Sequence, residues 1–287
     1  MRALLATAGV ALVASALVGC PSGTPSGPTL RAADLPADPR ALAALADELY
    51  ARGDPTSLEN ALFALEHGRA SHPDDVELAW RAARVCAFMA DDPDASRARK
   101  SRLAGRGVDH ARAALARAPD LVAGHYYLAI NLGLRAQALA AAGGVGGLAT
   151  VPAVAAAARK VVALDPAYDH GGGYRVLGML LVRAPPAPAS IGDIALGLDN
   201  LALAVKRDPT FPLNHLLYAE GLIEAGEYER ARAEIDTVMA APPAGEWARI
   251  GARWRARARE LLDDLARLTG GAGSGDGDGD GDGEVPR

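Results

Sequence analysis

Residues 208–243 read DPTFPLNHLLYAEGLIEAGEYERARAEIDTVMAAPP, and this stretch decides the fold. Tyr218, Ala219 and Leu222 recur at helical spacing, Gly226 breaks the run, and Ala231, Ile235 and Val238 carry a second run that ends at Pro243. The pattern is a helix, a glycine turn, a second helix and a proline stop. Small residues stand where the two antiparallel backbones must approach each other.

Upstream the same signature, small-x3-apolar-x2-small-x4-Pro, recurs four times. It falls on Ala61, Leu65, Gly68 and Pro73; Gly107, Ala111, Ala114 and Pro119; Val154, Ala158, Val161 and Pro166; Gly197, Leu201, Ala204 and Pro209. Successive prolines, ending with Pro243, are 46, 47, 43 and 34 residues apart. The last unit needs no insertion to match the 34-residue tetratricopeptide repeat (TPR), and Trp80, Tyr174, Leu177-Gly178 and Leu181 supply further repeat positions. One helix pair cannot bury its faces, whereas a stack can. The sequence therefore predicts an all-α, TPR-type helical solenoid of about five helix pairs over residues 39–269. Ala204 and Ala231 should lie where helix A of a pair meets helix B. Trp247, Ile250, Trp254, Leu261, Leu265 and Leu268 step by three, four or seven among many arginines, which predicts a C-terminal capping helix over 246–268. The longer spacings place extra residues between helices A and B of units one to four, in stretches such as 90–101, 140–152 and 184–192, all on one rim.

Composition agrees with this class. Of 287 residues 50% are hydrophobic and only 5% aromatic, too few β-formers for an all-β fold. Thirty Lys and Arg against 35 Asp and Glu, net charge −5, give no overall basic footprint for nucleic acid.

The ends differ from the middle. Arg2 precedes an uncharged, mostly apolar run that ends in Leu17-Val18-Gly19-Cys20, an export signal over 1–19 whose ending resembles a bacterial lipobox. In that reading Cys20 is lipidated and becomes the mature N-terminus, held in a membrane by two or more acyl chains. An ordinary secretory signal or an uncleaved anchor is the alternative. Residues 20–38, rich in Pro, Ser and Gly, read as a flexible tether, and 270–287 as a disordered Gly/Asp-rich tail. Asp276, Asp278, Asp280 and Gly281 imitate the start of an EF-hand loop, but its twelfth position falls on Arg287 where a glutamate is required.

Catalytic signatures are missing. His170-Gly171-Gly172-Gly173 imitates an esterase oxyanion motif without any Gly-x-Ser-x-Gly elbow, and reads as a flexible entry to the Tyr174 helix. Gly144-x-Gly146-x-x-Ala149 follows an Ala-rich helix instead of a β-strand. The six histidines form no metal motif, and Cys86 sits among apolar residues with no histidine nearby. No catalytic residue, metal site or cofactor is expected, and the chain reads as a binding protein, not an enzyme.

Gly124-His125-Tyr126-Tyr127 with Asn131-Leu132-Gly133, Leu164-Asp165-Pro166 through Asp169–Gly178, and Asp208-Pro209 through Asn214-His215 and Tyr218-Ala219-Glu220 carry a more specific likeness. Over roughly 40–268 the chain resembles the TPR lipoproteins that form the T component (TatT-like) of TRAP (tripartite ATP-independent periplasmic) transporters. It departs from them at Gly172-Gly173, where Gly-Pro is expected, and in its tail. The resemblance implies a lipid-anchored protein of the bacterial cell envelope, facing the periplasm, that binds a TRAP solute receptor (P component) and handles a hydrophobic ligand. An envelope protein–protein scaffold unrelated to transport is the alternative. Counting helix-A positions from the repeat register puts Arg81, Phe88, Met89, Tyr126, Ile130, Arg175, Met179 and Leu216 on a concave, apolar surface. Arg81 and Arg175 could there meet a carboxylate or phosphate head. The same side chains would otherwise be core, under the capping helix or a second subunit of a homo-oligomer, or would hold the apolar stripe of a peptide helix.

Overall fold

A computed structural model describes residues 28–140, 145–242 and 250–270. Cys20 with the 1–19 signal, the tail after Gly270, Pro243 and Trp247 lie outside the described residues.

Among the described residues eleven α-helices follow one another: α1 Pro39–Arg52, α2 Pro55–Ser71, α3 Val76–Ala90, α4 Arg97–Arg117, α5 Val122–Ala140, α6 Val151–Leu164, α7 Tyr168–Arg183, α8 Ile194–Arg207, α9 Pro212–Glu224, α10 Tyr228–Ala240 and α11 Gly251–Gly270. They form five pairs and a cap, the TPR-type solenoid that the repeat predicts. Starts follow local chemistry. Asp38, Asp54, Asp75, Ser96 and Asp193 each accept a hydrogen bond from the backbone N–H three residues on, and Pro39, Pro55 and Pro212 open their helices without needing a donor.

All three helical positions of the repeat motif are buried in every unit, on α2, α4, α6, α8 and α10. Ala204 and Ala231 are both fully buried. The tightest crossing joins α7 to α8: a Cβ added at Gly178 would lie 2.9 Å from the Gly197 carbonyl oxygen, and one added at Gly197 3.0 Å from that of Gly178. Helices A (α1, α3, α5, α7, α9, then α11) also touch their successors directly and make the inner layer, with helices B outside. Residues 147–164 are apolar and long enough to cross a membrane by length and composition, and their Val154, Ala158 and Val161 are buried in the stack.

Three boundaries differ from expectation. Only Gly53 and Asp54 join α1 to α2, so unit one has no insertion. The cap, α11, starts at Gly251 and buries Trp254, Ala258, Leu261 and Leu265 against α9 and α10, while Leu268 is exposed. Part of the expected tether is docked: the Thr29 and Leu30 amides donate to Asn60 Oδ1 at 2.7 and 3.1 Å, and Leu30 and Leu35 pack on the first core cluster. A single bridge between Pro186 and Gly192 is the only extended pairing among the described residues.

Helices α2 and α4 run parallel and are laced by Arg99–Glu59 (2.5 Å), Arg106–Glu66 (2.5 Å) and Arg117–Asp74. His110 Nδ1 accepts a hydrogen bond from Arg69, which leaves Nε2–H to donate to Glu66 at 3.0 Å. Burial alone would raise the Glu66 carboxyl, but its bonds to His110 and Arg106 outweigh that and hold it at about 2.

Replacing Ala204 or Ala231 by Leu forces volume into a closed contact and should cost about 1–3 kcal/mol in urea unfolding; unchanged midpoints would remove the repeat register. Glu66 stays ionised in the fold well below its ordinary value of 4.5, so its contribution is complete above 4.5 and fades as pH falls toward 2. Unfolding followed across that window should show wild type losing stability more steeply than Glu66→Gln.

Candidate functional site

The inner face carries two constructions, one buried and one open. The buried one begins where α7 starts. Asp169, His170 and Gly171 hold φ values of +48°, +57° and +86° in succession, left-handed backbone that disfavours any side chain. Arg175, one turn later and 3% exposed, clamps it: Nη1 donates to the carbonyls of Asp169 (2.8 Å) and His170 (3.3 Å) and to Asn214 Oδ1 (2.9 Å). Its Nη2 donates to Tyr126 Oη at 3.1 Å and pairs with the Asp169 carboxylate, which also accepts from the Tyr126 hydroxyl at 2.5 Å. Burial would lower the Arg175 pKa, but Tyr126 and Asp169 raise it overall, and burial pushes the Tyr126 phenol up.

Asn214, at the start of α9, donates to the carbonyls of His170, Ala204 and Asp208 at 3.0, 2.8 and 3.1 Å. The His170 ring lies 2.6 Å from Asp208 and stacks on Phe211 at 4.0 Å. Third, fourth and fifth pairs are thereby tied at one buried knot. Space explains the glycines: besides the backbone of Gly171, a Cβ at Gly172 would sit 2.6 Å from the Tyr126 ring. The HisGlyGlyGly run, expected to be a flexible entry, is a pinned turn.

The open construction spans α1, α3 and α5. Trp80 and Tyr127 stack at 6.1 Å and 8°, Arg81 lies over Trp80 at 4.4 Å, and Arg84 bridges the rings of Tyr50 (4.2 Å) and Trp80 (5.2 Å). Asp47 receives Arg81 at 2.9 Å and also Arg84, and Glu77 receives Arg81 and the Trp80 indole N–H, 3.0 Å. Tyr50, Trp80 and Tyr127 are each partly buried, burial pushes the Tyr127 phenol well up, and the Arg81 and Arg84 side chains are 17% and 16% exposed. Near the end of this face Arg253 of α11 reaches Asp91 after α3, at 2.9 Å.

The sequence-derived groove residues divide between these settings. Arg81 belongs to the open patch, with Phe88 edge-on to Tyr50 beside it at 5.5 Å. Ile130 is half-buried, while Met89, Tyr126, Met179 and Leu216 are core. Arg175, expected free for an anionic head, is instead engaged by Asp169, Tyr126 and Asn214. A cleft near Pro212, Val238, Pro242 and Trp254 encloses about 10 Å³, room for one water. Asp47, Tyr50, Arg84, Asp169 and Asn214 were missed as inner-face residues, although Asp169 and Asn214 lie within the stretches that carry the family likeness. Burial pushes the Cys86 thiol up to about 12, far from a nucleophile. No grouping of three metal-ligand side chains occurs among the described residues.

Comparison with known proteins supports the fold. TTC0263, a thermophilic TPR protein of Thermus thermophilus, superposes with a TM-score of 0.59 at 17% identity, covering 78% of this chain and 98% of that one. The MamA protein gives a TM-score of 0.42 at 12% identity over 79% and 93% of the two chains. Residues 42–143, from α1 through α5, match the family described as RMD1-3, regulator of microtubule dynamics protein 1-3. No curated protein matches the sequence. The chain thus has the TPR-type solenoid fold.

Asp169→Ala should strip the buried Arg175 of its counter-charge and cost about 3–5 kcal/mol in urea unfolding. Asp169→Gly loses the same charge but accepts the positive φ, so it should be less destabilised than Asp169→Ala by about 1 kcal/mol. Equal stabilities would show that the backbone there carries no strain.

Proposed function

We propose that the protein is a lipid-anchored component of a bacterial envelope, facing the periplasm, that holds another protein on the inner face of its helix stack. The observation that carries the binding role is the open patch of Trp80, Tyr127, Tyr50, Arg81 and Arg84. Trp, Tyr and Arg dominate the energetics of protein interfaces because they bring large, stiff surface with a polar edge. Here the two guanidiniums are already stacked and oriented by Asp47 and Glu77, so little freedom is lost on docking. A TRAP solute receptor is the partner that the family resemblance implies, and Cys20 is the anchor that the lipobox implies. A hydrophobic small ligand has less support, because Met179, Leu216 and Arg175 are spent on packing and on the knot.

The test is titration calorimetry of the chain against TRAP solute receptors. Trp80→Ala and Tyr127→Ala should each weaken binding about 10- to 100-fold with helicity unchanged; absence of binding, or variants that bind like wild type, would overturn the receptor role. Mass spectrometry should find acyl chains on Cys20, and Cys20→Ser should lose them and yield an unprocessed or soluble form. Unaltered processing and membrane partition would refute the anchor.

A further inference from the structure

The stack has two rims, and the residues define which ends meet at each. At one rim helices A begin and helices B end: Lys160, late in α6, pairs with Asp120 after α4 at 2.9 Å, and His170 meets Asp208 after α8. At the other rim helices A end and helices B begin, as the Asp193 amide shows by donating to the Leu181 carbonyl at 3.0 Å.

That second rim has an unusual composition over units three and four. Residues 145–152 (VGGLATVP) and 184–192 (APPAPASIG) carry no charge in a chain that is 23% charged. Leu148, in the 3-10 turn Val145–Thr150, is 44% exposed; Ile194 and Leu196, in the first turn of α8, are 43% and 47% exposed. They are three of the five exposed large hydrophobics among the described residues. Large apolar side chains gathered at one edge normally meet an apolar medium.

The path of the N-terminus indicates which. The Thr29 and Leu30 amides bond to Asn60, in the second turn of α2 and next to Glu59, whose partner Arg99 is in the first turn of α4. The chain therefore leaves the body toward the same rim. Between Cys20 and Thr29 stand only residues 21–28, about 26 Å when fully extended. A chain held in a bilayer at Cys20 brings this rim to the lipid. Arg102, exposed near the start of α4 on the same rim, suits anionic headgroups, with Asp92 and Asp94 opposing it in part.

Resting on the lipid-anchor reading, we propose that this rim is a membrane-contact surface: Leu148, Ile194 and Leu196 dip into the headgroup boundary of the anchoring bilayer, and the inner face stands edge-on to it. Tether and rim would then act as two attachments that fix the orientation of the groove.

Depth-dependent quenching tests it on the full chain reconstituted in vesicles of phosphatidylethanolamine and phosphatidylglycerol, 3:1 in round proportion. Bimane is attached at Leu196→Cys or, on the opposite rim, at Lys206→Cys; Cys86 is buried and does not compete, and Cys20, where it is not acylated, adds the same background to both chains. Nitroxide on the upper acyl chain should quench position 196 at least about twofold more than 206, and Leu148→Glu with Ile194→Glu should abolish the difference. Equal quenching overturns the proposal, as does a dimer in detergent that Leu196→Glu dissociates while vesicles give no quenching. Acylation of Cys20, read by mass spectrometry on the same sample, judges the anchor separately: quenching at 196 in a chain held by an uncleaved 1–19 segment supports the rim and refutes lipidation. A chain that lacks acyl groups and does not float with vesicles overturns both.

Discussion

Everything in this molecule depends on helix backbones coming closer than ordinary side chains allow. Gly178 and Gly197 face each other so that a methyl on either would strike the carbonyl of the other. Ala204, Ala158 and Ala231, all fully buried, repeat the same constraint along the outer layer. Close approach multiplies dispersion contacts and removes voids, and it makes the spacing of pairs insensitive to the polar residues that cover them. With only 5% aromatics the protein obtains its core from small residues tightly packed, not from large ones.

Stacking alone would leave neighbouring pairs free to pivot. The knot around Arg175 limits this because one guanidinium touches residues from α5, α7 and α9, and Asn214 fastens the end of α8 to the same point. Backbone strain at Asp169 and His170 is held by those bonds, as expected where surrounding structure over-determines a conformation. This end of the inner face is accordingly committed to the knot, whereas the aromatic patch near α3 joins side chains of α1, α3 and α5.

Legibility followed the physics of each feature. The repeat was readable because helix crossing demands small residues at fixed spacing, and Ala61 through Val238 announced every outer helix. The cap was readable from the stripe of Trp254, Leu261 and Leu265. Arg175 was placed on the right helix and inner layer, but its partners were not, since nothing in local sequence says that Asp169 adopts left-handed backbone and turns its carboxylate inward. The Trp80 patch was half visible: Arg81 follows from the register, whereas Asp47 and Tyr50 join it only through the crossing of α1 with α3. Unit one gave a wrong insertion because the interval between prolines does not reveal which unit owns the extra residues.

The contact of Arg253 with Asp91 spans 162 positions and joins the capping helix to the end of α3. The helices between them are packed into the stack, so the contact closes no flexible loop, and an exposed ion pair returns at most about 1 kcal/mol. It should therefore weaken as ionic strength rises. A helix pair in such an array contacts mainly its neighbours, so a tie of this length couples the first half of the stack to its cap in a way that stacking alone does not.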